Sequence, residues 1–183
     1  MSPARLRCGA AALAVVALAG CGVFRRESDV GAALAARRLM VPVAGVRPAD
    51  VPDTFDAPRD GGARRHGALD IPAPRGTPVV STDDGMVLAV RTNRLGGRVV
   101  YATDPDRRFV YYYAHLDRPR DGLRPGTRLA RGDLIGTVGT TGNADRREPH
   151  LHFQVLVHPG TDAWWDGRPI DPRPYLVATG VAR

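Results

Sequence analysis

The chain has 183 residues, a formal net charge of +7 and 43% hydrophobic residues. That length allows one compact domain with a leader and a linker, and a core of about 130 residues folds without disulfides. Every one of the 26 basic residues is an arginine. The arginines are scattered and no nucleic-acid motif occurs, so we expect no nucleic-acid partner. The charge instead favours an acidic neighbour such as a cell-wall polymer or a membrane surface.

Residues 1–20 predict a secretion signal. Arg5 and Arg7 precede an apolar stretch from Ala10 to Ala19, which is shorter than the roughly twenty residues that a bilayer span needs. The stretch ends in the sequence LAGC at 18–21, which resembles the lipobox of bacterial lipoproteins. That resemblance implies cleavage before Cys21 and acyl chains on its thiol and new amine, which would hold the mature protein on a membrane. An ordinary signal peptide that happens to contain a cysteine is the alternative.

The lipobox resemblance also implies a location in the cell envelope. Gly22 stands where an aspartate often retains lipoproteins in the inner membrane. We therefore expect export from the cytoplasm and, in a host with two membranes, the periplasmic side of the outer membrane. Cys8 lies in the leader and would be discarded, so the mature chain would have no disulfide.

Residues 21–40 are interpreted as the lipid anchor and a tether. Val30 to Met40 is rich in Ala and Leu and suits a short helix, but it has no sustained apolar face, so a spacer is the preferred interpretation. From residue 41 to 176, short β-type runs alternate with Gly, Pro and Asp turns, and residues 177–183 are left as a tail. The predicted strands are 78–82, 85–92, 98–103, 109–115, 133–138 and 151–157. This pattern predicts a mainly β, antiparallel domain with an open groove.

Four of the five histidines lie in three short motifs. His66 and Asp70 flank the residues Gly-Ala-Leu on a loop leading into the sheet, and His115 ends a predicted strand. His150 and His152 are two apart on another strand and so point to the same face, where one can bind metal and the other reach substrate. A catalytic zinc needs three protein ligands and an open position for water. Core packing does not require four imidazoles, so the motifs predict a zinc hydrolase site.

Further motifs surround these residues. They are Asp70-Ile-Pro-Ala-Pro-Arg-Gly-Thr-Pro78, Tyr113-Ala-His-Leu116, Arg131-Gly-Asp-Leu-Ile-Gly136, Thr141-Gly-Asn143 and Pro149-His-Leu-His-Phe153. With them, residues 41–176 resemble the lysostaphin- and LytM-like zinc metallopeptidases, which cut peptide bonds in bacterial peptidoglycan. The resemblance implies a single compact antiparallel β-sheet domain of the LytM type with an open active-site groove. In one departure, this chain has Ala68 where the family usually has a glycine.

Matched position by position, the resemblance implies that His66, Asp70 and His152 hold one Zn²⁺ per chain. It places the two non-ligand catalytic histidines at His115 and His150. Two neutral imidazoles and one carboxylate leave the ion with a charge of about +1, which still acidifies water towards neutral pH. We expect His115 and His150 to orient and deprotonate that water and to pass a proton to the leaving nitrogen. The sequence leaves open which histidine does which.

The predicted function is hydrolysis of peptide cross-links in cell-wall remodelling by an envelope-anchored zinc endopeptidase. Its expected partners are peptidoglycan peptide stems and, through the lipid, a membrane. One alternative is a catalytically weak or silent relative that binds and activates another wall hydrolase, which makes such hydrolases or their regulators candidate partners. Relatives of that kind typically lose zinc ligands, whereas this sequence keeps them. The other alternative, a secreted bacteriolysin, conflicts with a lipid anchor.

Several aromatic residues have two interpretations each. Tyr111 and Tyr113 share a strand face with His115 by alternation, which fits either the lining of the groove or core packing. Trp164 and Trp165 are candidates for a glycan platform. Adjacent residues on an irregular segment, however, more often have one packed and one exposed ring.

Overall fold

A computed structural model describes residues 29–177. The predicted signal peptide, the lipidation site Cys21 and nearly all of the tail lie outside the described residues, so these features stay predictions. Within 29–177, no helix is both long and apolar enough to cross a membrane.

The described chain is built mainly from β-strands. The strands are β1 Leu39–Met40, β2 Pro58–Arg59, β3 Arg64–Arg65, β4 Leu69–Pro72, β5 Pro78–Val80, β6 Gly85–Asn93, β7 Gly97–Thr103, β8 Phe109–Pro119, β9 Arg128–Leu129, β10 Leu134–Val138, β11 His150–Val157, β12 Arg168–Ile170 and β13 Leu176–Val177. In this range the only α-helix, α1, covers residues 29–37. Three-residue 3-10 turns occur at Pro48–Asp50, Asp60–Gly62, Trp164–Asp166 and Arg173–Tyr175.

Nine of these strands form one antiparallel sheet. Its main path runs β12-β11-β8-β7-β6-β9, with β4 paired to β11, β10 to β8 and β5 to β10. All six predicted strands are present. Five of them end within two residues of the prediction, whereas β8 continues to Pro119 instead of ending at His115. The predicted mainly β, antiparallel fold is therefore confirmed.

A bulge in β8 decides which tyrosines reach the groove. His115 has a φ of 59°, and the register between β7 and β8 shifts between Arg98 and Val100. The extra residue reverses the alternation, because side chains on either side of a bulge exchange faces. Tyr111 and Tyr113 consequently lie fully buried in the core. Of the two interpretations of these tyrosines, core packing is the one observed.

The segment from residue 29 to 40 packs on the domain, which differs from the predicted spacer. Leu34 in α1 and Leu39 in β1 are both 0% exposed, and β1 pairs in parallel with β13. Arg37 Nε donates a 2.6 Å hydrogen bond to the buried Asp83 carboxylate. Two buried leucines and one ion pair hold the segment on the domain. The prediction missed this packing because these few residues do not produce a repeating apolar pattern along the helix. The compact unit therefore begins before residue 41.

Candidate metal centre

Three polar side chains meet where β4 lies against β11. Asp70 and His152 are direct register partners on these antiparallel strands, so their side chains are neighbours on one face. His66 precedes β4 and joins them through Gly67, whose φ of 68° is readily adopted only without a β-carbon. The loop is fixed because the backbone N–H of His66 donates to the carbonyl oxygen of Ala57 at 2.9 Å.

The donor atoms of His66, Asp70 and His152 form a tight triangle. His66 Nε2 lies 3.0 Å from His152 Nδ1, and Asp70 Oδ1 lies 3.1 Å from the first nitrogen and 3.0 Å from the second. Donors in a tetrahedral zinc site are about 3.4 Å apart, so a few tenths of an ångström of opening accommodates the ion. Two imidazoles and one carboxylate are a typical donor set for catalytic zinc.

Neighbouring groups orient these donors. His66 Nδ1 donates to the backbone oxygen of Thr54 at 2.9 Å, which fixes the tautomer with a lone pair on Nε2. The hydroxyl of Thr54 accepts the backbone N–H of Asp70 at 2.9 Å. Arg59 Nη2 donates to Asp70 Oδ2 at 2.6 Å, which leaves Oδ1 directed at the two histidines. Thr54 and Arg59 carry no motif, and reasoning from the sequence missed both.

His115 and His150 lie beside this triangle, and each ring bonds to the backbone through Nδ1 and not through Nε2. His115 Nδ1 donates to the carbonyl oxygen of Thr141 at 2.8 Å, and His150 Nδ1 donates to that of Glu148 at 2.7 Å. The two ring centroids are 5.0 Å apart, and His150 Nε2 is 3.8 Å from the Asp70 carboxylate. The structure thus brings all five predicted site residues together. Their assignment as three ligands and two catalytic bases remains a prediction.

The backbone of His115 is held in an uncommon conformation. A φ of 59° is uncommon for residues other than glycine, although histidine adopts it more often than most. Its N–H donates to the carbonyl oxygen of Gly96 at 2.7 Å, so the neighbouring loop stabilises the bulge. Backbone strain of this kind persists where the surroundings over-determine it, often at functional sites. Here it turns the His115 ring towards the groove.

The electrostatics of the cluster suit metal binding. Burial lowers the pKa of His115 to about 4 and also lowers the pKa of His152. Burial alone would raise the pKa of Asp70, but hydrogen bonds with His152 and His66 outweigh it and hold that pKa well below its usual range. Near neutral pH the centre therefore offers the neutral imidazole of His152 and an ionised Asp70 carboxylate, which are the protonation states that a metal requires.

The cluster lies in a groove of about 620 Å³. Beyond the five predicted residues, the lining includes Arg94, Tyr112, Asn143 and Gln154. Tyr112 faces the groove because the bulge at His115 exchanges the faces of β8. Alternation in the sequence placed Tyr111 and Tyr113 on the face of His115 and left groove lining and core packing both open.

Residues 64–172 match the model of Peptidase family M23. The chain belongs to this family. The match spans all five site residues, and it confirms the resemblance to lysostaphin- and LytM-like peptidases predicted from the motifs.

Two curated relatives are named as endopeptidases. The chain is 35% identical over 128 residues to the L-Ala–D-Glu endopeptidase of Bacillus subtilis, a match that covers 67% of this chain and 38% of the relative. It is also 35% identical over 101 residues to the peptidoglycan DD-endopeptidase ShyC of Vibrio cholerae, covering 55% of this chain and 22% of the relative. The chain thus spans well under half the length of these relatives.

Solved structures show the same fold. The catalytic domain of lysostaphin from Staphylococcus simulans is 27% identical with a TM-score of 0.54, and the match covers 63% of this chain and 80% of that domain. A zinc-containing peptidase from Vibrio cholerae is 28% identical with a TM-score of 0.57, covering 75% of this chain and 39% of that protein. Family, neighbour and donor geometry together support one zinc ion as the cofactor.

Proposed function

We propose that this protein is a zinc-dependent endopeptidase that hydrolyses peptide cross-links of bacterial peptidoglycan in cell-wall remodelling. The observation that carries the proposal is the triangle of His66, Asp70 and His152 with His115 and His150 on its open side. Two relatives at 35% identity support the substrate class, one named as an L-Ala–D-Glu endopeptidase and the other as a peptidoglycan DD-endopeptidase. Retention of the full donor set disfavours a catalytically silent activator.

His66, Asp70 and His152 are the residues proposed to hold the ion. When bound, zinc supplies Lewis-acid chemistry that acidifies water and polarises an amide carbonyl. The chain's part is to accept and return a proton. His115 and His150 each keep Nδ1 bonded to a backbone carbonyl oxygen, so Nε2 of each is the atom that takes a proton from the attacking water or gives one to the leaving nitrogen.

The protonation state of His115 fits the role of a base. Burial lowers its pKa to about 4, so the neutral form with a free lone pair prevails at neutral pH. The Thr141 carbonyl oxygen fixes the ring, and proton transfer then requires no reorientation of the imidazole. The negative charge of Asp70 nearby favours the cation that forms after proton uptake.

The bond that is cut remains part of the proposal. The two relatives are named for different bonds, one as an L-Ala–D-Glu endopeptidase and the other as a peptidoglycan DD-endopeptidase. Membership of the family therefore does not select between a bond in the stem and a bond in the cross-link. We infer that the bond cut is in a cross-link, and the masses of the cleavage products identify that bond.

We also propose that a lipid on Cys21 anchors the protein in the cell envelope, on the periplasmic side of the outer membrane in a host with two membranes. The LAGC sequence at 18–21 supports this proposal. Mass spectrometry of the protein from the membrane fraction should find an acylated Cys21, and Cys21→Ser should move the protein to the soluble fraction. An unmodified Cys21 in the mature protein would contradict the anchor.

The activity is tested by muropeptide analysis. Purified peptidoglycan is incubated with the protein, with and without a zinc chelator. The products are then separated and their masses are determined by mass spectrometry. We expect cross-linked dimers to disappear in the sample without chelator and to persist in the sample with chelator. An unchanged profile with folded, zinc-loaded protein would contradict the proposal and favour the activator of another hydrolase.

A further inference from the structure

The sheet face that carries the metal centre continues across neighbouring strands as a row of large side chains. Gln154 on β11 is the register partner of Tyr112 on β8, and Tyr112 is the partner of Tyr101 on β7. Gln154 is two residues from His152 and so shares its face. Tyr112 and Tyr101 therefore extend from the groove towards β6, on the side opposite the buried core tyrosines.

Aromatic rings connect this face to solvent without interruption. The centroid of Tyr112 lies 5.9 Å from that of His152 and 4.5 Å from that of Tyr101. The ring centroids of Tyr101 and Trp164 are 4.8 Å apart, and those of Trp164 and Trp165 are 5.1 Å apart. We call Tyr112, Tyr101, Trp164 and Trp165 the aromatic strip. It begins at Tyr112, next to the proposed metal ligand His152, and ends at Trp165, which is 48% exposed.

The strip has polar groups along an apolar surface. The guanidinium of Arg91 on β6 lies 5.4 Å from the ring centroid of Trp164 and 5.8 Å from that of Trp165. The phenol hydroxyls of Tyr101 and Tyr112 and the two indole N–H groups add further hydrogen-bonding positions. Among the described residues, only Leu95, Leu134 and Trp165 are exposed large hydrophobics, and Trp165 is the one aromatic residue of these three.

We propose that the aromatic strip binds the glycan strand of peptidoglycan while the stem peptide lies in the groove. One face of a pyranose ring carries mainly C–H bonds, which stack on the negative face of an aromatic ring, and its hydroxyls point outward to polar partners. Arg91 and the phenol and indole groups are such partners.

The continuity of the two sites supports the glycan as the occupant. This inference rests on the proposed function, in which the substrate peptide is covalently attached to a sugar. Tyr112 both lines the groove and begins the strip. A sugar joined to a peptide in the groove would therefore reach the strip without leaving the protein surface. The strip is a binding surface and takes no part in bond cleavage.

The chain carries its own reporter for this surface. Trp164 and Trp165 are the two tryptophans of the whole sequence, so tryptophan emission reports on the strip alone. We titrate the protein with chitotetraose, a β-1,4-linked N-acetylglucosamine tetramer without peptide. The expected result is a saturable change in emission. Trp165→Ala, followed through Trp164, should weaken binding at least tenfold. Leu134→Ala, which removes another exposed hydrophobic side chain, should bind as the wild type does.

A second measurement tests whether the strip serves cleavage. Rates are compared on intact sacculi and on a soluble, glycan-free cross-linked peptide dimer. We expect Trp165→Ala to lower the ratio of the sacculus rate to the peptide rate several-fold, whereas Leu134→Ala leaves that ratio at the wild-type value.

Three outcomes would overturn the proposal: no emission change with chitotetraose, equal affinity in Trp165→Ala, or an emission change produced by a glycan-free stem peptide instead. The failure of the proposed function would look different. If the wild type binds chitotetraose but cleaves neither substrate, the glycan surface is supported and the endopeptidase is refuted.

Discussion

Replacing Thr54 by valine tests whether the loop before the first ligand preorganises the metal centre. The Thr54 hydroxyl accepts the N–H of Asp70 at 2.9 Å and donates to the carbonyl oxygen of Ala68 at 3.3 Å. The backbone oxygen of Thr54 accepts Nδ1–H of His66 at 2.9 Å. Valine has nearly the same shape but removes both side-chain hydrogen bonds. We expect a loss of about 1–2 kcal/mol in the free energy of unfolding, because the Asp70 amide is left without its partner.

The same change should weaken zinc binding. Without the Thr54 hydroxyl, Asp70 and His66 are held less firmly before the ion binds, and part of the binding free energy is used to order them. Loss of such outer-shell hydrogen bonds typically reduces metal affinity by about 10- to 100-fold. We expect the zinc Kd of Thr54→Val to rise by about tenfold, the factor that corresponds to roughly 1.4 kcal/mol.

Competition with a chromophoric chelator measures the zinc Kd. Thr77→Val is the matched control, since its exposed hydroxyl also donates to a backbone oxygen, that of Pro74 at 2.7 Å, at a position outside the groove. If Thr54→Val and Thr77→Val bind zinc within a factor of two of each other, the loop does not preorganise the site and the reasoning is refuted.

The site and the core supply three further predictions. His152→Ala should lose its zinc, whereas His115→Ala should keep one zinc per chain and still lose at least about 100-fold in rate; a zinc-free His115→Ala protein would contradict the assigned roles. Tyr111→Phe removes the 2.8 Å hydrogen bond to the buried Asp83 carboxylate and should lower the free energy of unfolding by about 2 kcal/mol in urea titrations, with zinc content unchanged. Burial lowers the pKa of His115 from 6.5 to about 4, so between these pH values the unfolded chain binds more protons. The metal-free protein should therefore become more stable from pH 4 to pH 6.5, by up to about 3 kcal/mol. An equally steep dependence in His115→Ala would show that another group is responsible.

The sequence predicted the centre well because its residues lie in contiguous motifs. The spacing of His66 and Asp70 and the alternation of His150 and His152 are local patterns, and the structure places them as those patterns imply. The sequence did not determine which side chains of β8 face the groove. Strict alternation puts Tyr111 and Tyr113 on the same face as His115. The bulge changes the backbone at His115, and no residue type in β8 predicts it from the sequence. Only the structure identifies Tyr112 as the groove tyrosine.

Long-range contacts explain the rest of what sequence reasoning missed. Thr54 accepts a hydrogen bond from His66, 12 residues away in sequence, with its backbone oxygen, and one from the amide of Asp70, 16 residues away, with its hydroxyl. Arg59 donates to the Asp70 carboxylate from 11 residues away, and no local pattern marks Thr54 or Arg59. The packing of α1 depends on the burial of Leu34 and on the ion pair between Arg37 and Asp83. Arg37 and Asp83 are 46 residues apart in the sequence. Such contacts form only when the chain has folded, so periodicity could not reveal them.

The most direct test of the central claim is reconstitution of the metal-free protein with graded zinc, followed by the rate of peptide release from purified peptidoglycan. The account predicts no release without zinc and a rise in rate that levels off at one equivalent per chain. The His152→Ala protein should show no rise at any equivalent. Release by the metal-free protein, or no release at one bound equivalent, would contradict a zinc endopeptidase built on His66, Asp70 and His152.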